Sequence, residues 1–87
     1  MIEFDAAKDA ANIAKHGISL AEAGGMDLDE ALVAQDSRFD YGEDRFVAVG
    51  PIDGDLRVLV YTPRGSVTRV ISLRPASDKE TARWLSR

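Results

Sequence analysis

Arginine side chains in the second half of the chain are the groups whose chemistry suggests a ligand. Residues 56–87 hold 7 basic and 2 acidic residues, a balance of +5, whereas residues 1–44 hold 3 basic and 11 acidic residues, a balance of −8. A guanidinium keeps its charge and donates two parallel hydrogen bonds to a phosphate. The uneven charge therefore indicates an anionic ligand for the basic half, with solvated surface charge as the alternative.

The scarcity of metal ligands narrows the chemistry further. The sequence contains no cysteine and one histidine, His16. A disulfide framework and a thiolate site are excluded, and a transition-metal site would have only carboxylates to complete it. We therefore expect neither a metal nor a cofactor. No segment has the length and apolarity of a signal peptide or membrane span, so we expect a cytoplasmic protein.

Three apolar runs rich in β-branched residues predict the sheet that positions the arginines. They cover Arg45–Gly50, Leu56–Thr62 and Val67–Arg74, with turn signals between them. The middle run is apolar at successive positions over Val58–Tyr61, which predicts a central strand buried on both faces. Strict alternation in the third run predicts one face with Val67, Arg69, Ile71 and Leu73, and the other with Thr68, Val70, Ser72 and Arg74.

The flanking segments predict helices. Asp5 is the expected N-cap of a helix over Ala6–His16, and capping boxes begin at Ser19 and Ser77. In the first helix we expect an inward face of Ala10, Ile13 and Ala14, and a more exposed set of Lys8, Asp9, Asn12 and Lys15. In the last helix we expect Trp84 and Leu85 to form an apolar patch.

The order of these elements predicts the fold class. Short strands over 2–4 and 31–34 complete a β-α-α-β-β-β-β-α order. This order indicates one α+β domain over residues 1–87, with a central antiparallel sheet, two N-terminal helices and one C-terminal helix. We expect the helices to lie on one face of the sheet.

Five pieces of sequence, in order over nearly the whole chain, resemble the BrnT toxins. They are Phe4-Asp5 with Lys8 and Asn12, Lys15–Ser19 with Glu22-Ala23, Gly42–Phe46, Tyr61–Gly65, and Ile71–Arg74 with Ala76 and Glu80. The resemblance implies a RelE-like fold and a bacterial type II toxin, a ribonuclease that cleaves RNA and inhibits translation. It also implies a BrnA-type antitoxin with a ribbon-helix-helix domain, which inactivates the toxin in a hetero-oligomer and alone contacts operator DNA.

Metal-independent RNA cleavage requires a base for the 2′-hydroxyl, cations for the phosphorane and a proton for the leaving oxygen. Arg64 and Arg74 match two of the family's pieces and are the predicted cations. Glu43 and Glu80 are the candidate bases, and His16 could act as acid or base. We expect Arg64 and Arg74 to converge on the sheet face away from the first two helices, with His16 or Glu43 at the rim.

Three further residues are predicted to bind the substrate: Lys15, Arg45 and Trp84. Trp84 stands where the family usually carries Tyr, so it keeps a stacking surface but lacks the phenol proton donor. Each assignment has a structural alternative. Arg45 and Glu43 could form an ion pair, Glu80 is half of a capping box, and Trp84 could be a core residue.

A function of another class also fits the sequence, namely a non-catalytic module that docks a DNA-binding antitoxin and modulates its repressor activity. The acidic first half is unusual for a protein that approaches RNA, and residues 24–36 diverge from the family pattern. The acidic half could instead hold the antitoxin or contact the ribosome. Growth arrest on expression of the chain alone would separate the two functions.

Overall fold

The computed structural model describes residues 1–38 and 40–87. A 3₁₀ helix over Leu20–Gly25 follows the first α-helix, and the sheet order is β1-β5-β4-β3-β2. β1 pairs parallel with β5, and the other neighbours are antiparallel. The predicted α+β class is confirmed. The elements are β1 Ile2–Glu3, α1 Ala6–His16, β2 Leu32–Asp36, β3 Arg45–Ile52, β4 Asp55–Arg64, β5 Val67–Pro75 and α2 Asp78–Leu85.

The predicted meander forms the middle of the sheet. Strands β3 and β4 are joined at Asp53 and Gly54, whose φ angles of 50° and 86° lie in the left-handed region that this two-residue turn requires. Strand β4 is third of five, so it is central as predicted. Val58 and Leu59 point to opposite faces and are 0% and 1% exposed. The prediction of a strand buried on both faces is confirmed.

A β-bulge breaks the alternation predicted for β5. Val60 pairs with Ser72 and Tyr61 pairs with Val70, which leaves Ile71 as an extra residue. Val70 and Leu73 therefore both enter the main core, at 1% and 0% exposure. The predicted assignment of side chains to faces is wrong for Val67–Val70, the residues before the bulge. Counted from Ser72, Leu73 and Arg74, the extra residue places each of these side chains on the face opposite to the predicted one. Arg69, Ser72 and Arg74 consequently share a face.

The helices lie on both faces of the sheet, so the prediction that they share one face is wrong. The 3₁₀ helix contributes Leu20 and Ala23 to the main core, together with Leu59 of β4. Helix α2 contacts β3 and flanks a groove that contains Val49, whose side chain lies on the opposite face. A strand that is apolar on both faces needs cover on both. We call the α2 side the second face.

Helix α1 turns a polar side inward, contrary to the predicted orientation. Asn12 is 8% exposed, whereas Ile13 is 46% exposed. Asp9 accepts hydrogen bonds from the Leu20 backbone N–H at 2.7 Å and from the Ser19 hydroxyl at 3.0 Å. Helix α1 packs beside the start of the 3₁₀ helix and the edge of a strand, where buried backbone groups require hydrogen-bond partners. Asp9 and Asn12 supply these partners, so their side of the helix faces inward and the alanines stay exposed.

Candidate functional site

Arg74 and Glu80 form the tightest ion pair between two predicted site residues. Arg74 lies near the end of β5, and its Nη1 and Nη2 donate to Glu80 Oε1 and Oε2 at 2.7 and 2.8 Å. Glu80 also completes the predicted capping box, because it accepts from the Ser77 backbone N–H at 2.8 Å and its own N–H donates to Ser77 Oγ at 3.2 Å. One carboxylate thus fixes both the arginine and the start of α2.

The pair is ionised at neutral pH. The hydrogen bonds from Arg74 lower the pKa of Glu80 from 4.5 to about 2, and Glu80 raises the pKa of Arg74. Both side chains stay within reach of solvent, at 38% exposure for Arg74 and 25% for Glu80. An anion from solution can therefore compete with Glu80 for the guanidinium.

A pocket of about 310 Å³ opens at this pair, and it brings in two cations that the sequence analysis missed. It is lined by Arg74, Ser77, Lys79, Glu80 and Arg83. Lys79 and Arg83 are four residues apart on α2, so they share a side of the helix. That spacing after a capping box was visible in the sequence. We call this site, with its three cations and one carboxylate, the basic pocket.

Arg64 occupies a separate cluster. Its Nη2 lies 3.3 Å from Glu43 Oε2, and its Nη1 lies 3.9 Å from Glu3 Oε1. Arg69 also pairs with Glu3, at 3.8 Å. Arg64 is 53% exposed, so its ion pairs are solvated and weak. The sequence analysis offered an ion pair of Glu43 with Arg45 as the structural alternative. In the structure Glu43 forms its ion pair with Arg64 instead.

Arg64 and Arg74 lie on the same face of the sheet but do not converge, so the prediction of one shared cleft is wrong. Arg74 pairs with Val58 across β4, and Val58 is six residues from Arg64 on that strand. At the rise of an extended strand this separation is about 20 Å. Because Val58 and Arg64 are six positions apart, an even separation, Arg64 and Arg74 both lie on the second face. Because this distance separates the two arginines, each pairs with a different carboxylate: Arg64 with Glu43 and Arg74 with Glu80.

Arg45 lies at the Arg64 end of the same face. Its Cζ is 3.9 Å from the centroid of the Tyr41 ring, in a cation–π arrangement. Its Nε is buried and has no hydrogen-bond partner among the described residues. This end of the sheet thus holds Arg45, Arg64 and Glu43.

His16 and Lys15 lie at the C-terminal end of α1. Asn12, one turn earlier, is hydrogen-bonded to Leu73, so α1 ends near the end of β5 that carries Arg74. His16 is half-buried and Lys15 is exposed. Neither forms a hydrogen bond or ion pair with Arg74 or Glu80 within residues 1–38 and 40–87.

Trp84 carries a cation on its ring. The Cζ of Arg87 lies 3.6 Å from the Trp84 ring centroid, and Trp84 is half-buried. Leu85 is 75% exposed, so the predicted apolar patch of Trp84 and Leu85 is wrong for Leu85. The helix has only eight residues, and Leu85 lies on its solvent side.

Neither a metal site nor a membrane span emerges from the described residues. No group of three or more His, Asp or Glu side chains among them is arranged to hold a metal ion. No helix in the described part of the chain has the length and apolarity to cross a membrane.

The comparisons with known proteins agree with this fold. Residues 4–80 match the family model described as ribonuclease toxin, BrnT, of type II toxin–antitoxin systems. The crystal structure of the Brucella abortus ribonuclease toxin BrnT is similar, with 32% sequence identity and a TM-score of 0.72 over 88% of this chain and 96% of that chain. A comparison with curated protein sequences gave no significant match.

Fold and family match together define a ribonuclease toxin of the type II toxin–antitoxin class. Within that class, the chain belongs to the BrnT family. A toxin of this class has a cognate antitoxin.

Proposed function

We propose that the basic pocket is the site at which this toxin cleaves RNA, by a reaction that requires no metal ion. Cleavage in the cytoplasm would inhibit translation. The observation that carries the proposal is the bidentate pair of Arg74 and Glu80, which faces a pocket that also contains Lys79 and Arg83. Guanidinium groups with solvent access are suited to phosphate, and the adjacent carboxylate supplies a base. We further propose that residues 1–87 act as one toxin domain.

Substrate binding would activate the base. A phosphate that takes the fork of Arg74 removes the main cause of the low pKa of Glu80, so this pKa rises from about 2 toward its usual 4.5. Glu80 then accepts the proton of the 2′-hydroxyl more readily. The 2′-oxygen attacks phosphorus, the bond to the 5′-oxygen breaks, and the products are a 2′,3′-cyclic phosphate and a 5′-hydroxyl.

The remaining predicted residues take supporting roles in this proposal. Arg74 stabilises the charge that develops on the phosphorane. His16, at the end of α1 near the Arg74 end of β5, gives the proton to the leaving 5′-oxygen. Lys15, at the same helix end, adds positive charge near the RNA. Trp84 stacks on a base once Arg87 leaves its ring.

The cluster at the other end of the second face extends the RNA site. Arg64 lies about 20 Å along β4 from the position that pairs with Arg74, and Arg45 lies at the same end of the neighbouring strand β3. They would hold the RNA backbone at phosphates distant from the cleaved bond, with Glu43 orienting Arg64. In this role they contribute affinity without touching the reacting atoms.

We also propose that the cognate antitoxin is of the BrnA type, with a ribbon-helix-helix domain that alone contacts operator DNA. Membership in a type II toxin family supports the existence of the partner, and the five sequence pieces that resemble BrnT support its type. Toxin and antitoxin would form a hetero-oligomer.

The experiment that tests the site compares Arg74→Ala with Arg38→Ala. Arg38 provides a matched control because it forms an equivalent bidentate pair with Asp36, at 3.0 Å for both bonds, outside the basic pocket. RNA cleavage is measured in the presence of EDTA. We expect Arg74→Ala to lower the rate by about a hundredfold or more and Arg74→Lys to restore part of it.

Arg38→Ala should cleave RNA and arrest growth like the wild type. A folded Arg74→Ala protein with the wild-type rate would show that the basic pocket is not the catalytic site. Loss of all cleavage in EDTA, restored by Mg²⁺, would show that the reaction depends on a metal.

A further inference from the structure

A second, apolar groove adjoins the basic pocket on the second face. It has a volume of about 570 Å³ and lies between α2 and the strands β2 and β3. Leu32, Val33, Ala34, Val47 and Val49 contribute its apolar lining, and Glu80, Arg83, Ser86 and Arg87 line its helical side. The RNA chemistry proposed above does not use this apolar surface.

The groove opens at an edge of the sheet. Strand β2 is last in the sheet order, so β3 is its only partner strand among the described residues, and its outer backbone groups face away from the sheet. Ala34, which pairs with Val47 and so lies on the second face, is exposed. An exposed apolar surface at a strand edge favours a peptide over a nucleic acid, because aliphatic side chains offer neither stacking nor hydrogen bonds to bases.

The charge on the groove's helical side is opposite to that of the rest of the molecule. Residues 74–87 hold 4 basic and 2 acidic residues, a balance of +2, whereas residues 1–73 hold 7 basic and 13 acidic residues, a balance of −6. Glu80 is held by Arg74, which leaves Arg83 and Arg87 exposed along the groove. An acidic partner is therefore repelled by most of the surface and attracted here.

We propose that this groove docks an acidic amphipathic segment of the cognate antitoxin. Apolar side chains of the segment contact the floor at Ala34, Val47 and Val49, and its carboxylates bind Arg83 and Arg87. The groove and the basic pocket share Glu80 and Arg83. A segment seated in the groove thus covers one wall of the RNA site, which explains neutralisation by occlusion. This inference depends on the proposed function for its inhibitory effect, but not for the docking itself.

The test measures antitoxin affinity for two matched pairs of toxin variants. Ala34→Trp fills the groove floor, and Ala14→Trp places the same side chain on the exposed side of α1. Arg87→Glu reverses a charge on the groove, and Lys8→Glu makes the same change on α1. The purified product of the cognate antitoxin gene is titrated against each variant, and RNA cleavage and thermal midpoint are recorded without antitoxin.

We expect Ala34→Trp and Arg87→Glu each to weaken antitoxin binding by about tenfold or more, while both α1 variants bind like the wild type. The folded Ala34→Trp protein should arrest growth even when antitoxin is present. Wild-type affinity of Ala34→Trp, or equal losses in the α1 controls, would overturn the proposal. So would lost RNA cleavage with intact antitoxin binding, since the groove would then belong to RNA. If neither the wild type nor any variant cleaved RNA, the proposed function would be refuted. The affinities for antitoxin would still test the docking proposal, because they do not depend on cleavage.

Discussion

The side-chain amide of Asn12 pairs with both backbone groups of Leu73. Its Nδ2 donates to Leu73 O at 2.7 Å, and its Oδ1 accepts from the Leu73 N–H at 3.3 Å. Strand β1 pairs with β5 at Thr68 and Arg69, so within residues 1–38 and 40–87 no strand covers the edge of β5 at Leu73. Asn12 therefore acts as a one-residue continuation of the sheet. A further bond from Nδ2 to Ile18 O at 2.8 Å ties α1 to the segment after it.

Replacement of Asn12 by Ala should lower the free energy of unfolding by about 2–3 kcal/mol. The change leaves three buried backbone groups without their partner, and each unsatisfied group is unfavourable. Asn12→Asp should be no better, because it removes both donors and buries a charge. Urea unfolding measures the effect, with Lys8→Ala on the exposed side of α1 as the control. An Asn12→Ala protein with the wild-type unfolding midpoint would contradict the role of this amide.

The central sheet could be predicted from sequence because each strand is specified locally, by β-branched residues and turn signals. The inward side of α1 could not, because it depends on the uncovered edge of β5 near Leu73, which is distant in sequence. The bulge at Ile71 is likewise a property of the pairing with β4. Local patterns thus identify elements, whereas their contacts decide which side faces inward.

The candidate site shows the same division. Glu80 and Arg74 could each be named from the sequence, and the capping box that holds Glu80 could be predicted because it spans four residues. Their pairing could not, since it requires α2 to fold back on the second face. The separation of Arg64 from Arg74 follows from strand register, which alternation alone does not provide.

Thr62 holds the segment that carries Glu43. Its buried hydroxyl donates to the backbone carbonyl of Asp44, and the residue is 1% exposed. Thr62→Val keeps the shape but loses this bond, so we expect a destabilisation of about 1–2 kcal/mol and faster hydrogen exchange over residues 40–46. Thr62→Ser retains the hydroxyl and should keep the slow exchange. Unchanged exchange in Thr62→Val would show that the segment is held by other contacts.

The ion pair of Arg74 and Glu80 predicts a loss of stability in acid. Since the pKa of Glu80 is about 2 in the folded protein and about 4.5 when unfolded, the unfolded chain binds a proton first as the pH falls. The stabilisation is complete above pH 4.5 and is lost as the pH approaches 2. Asp36 shifts in the same direction, so the wild type must be compared with Glu80→Gln.

The difference in unfolding midpoint between wild type and Glu80→Gln should therefore shrink between pH 6 and pH 2.5. Urea titrations at half-unit intervals measure it. An Asp36→Asn control removes another carboxylate whose pKa is lowered to about 2, at a site outside the basic pocket. A difference that stays constant over this range would mean that the pairing of Glu80 does not contribute to folding stability.

Lys79 and Arg83 should each contribute a phosphate contact that depends on salt. The affinity for single-stranded RNA falls with the logarithm of the salt concentration by a slope of about 0.7 per neutralised phosphate. Lys79→Gln and Arg83→Gln should each lower that slope by about this amount, whereas Lys8→Gln on α1 should leave it unchanged. Fluorescence anisotropy with a 2′-O-methyl RNA, which lacks the attacking hydroxyl, measures binding without cleavage. Equal slopes for wild type and both pocket variants would place the bound phosphates elsewhere and remove the basic pocket from the RNA site.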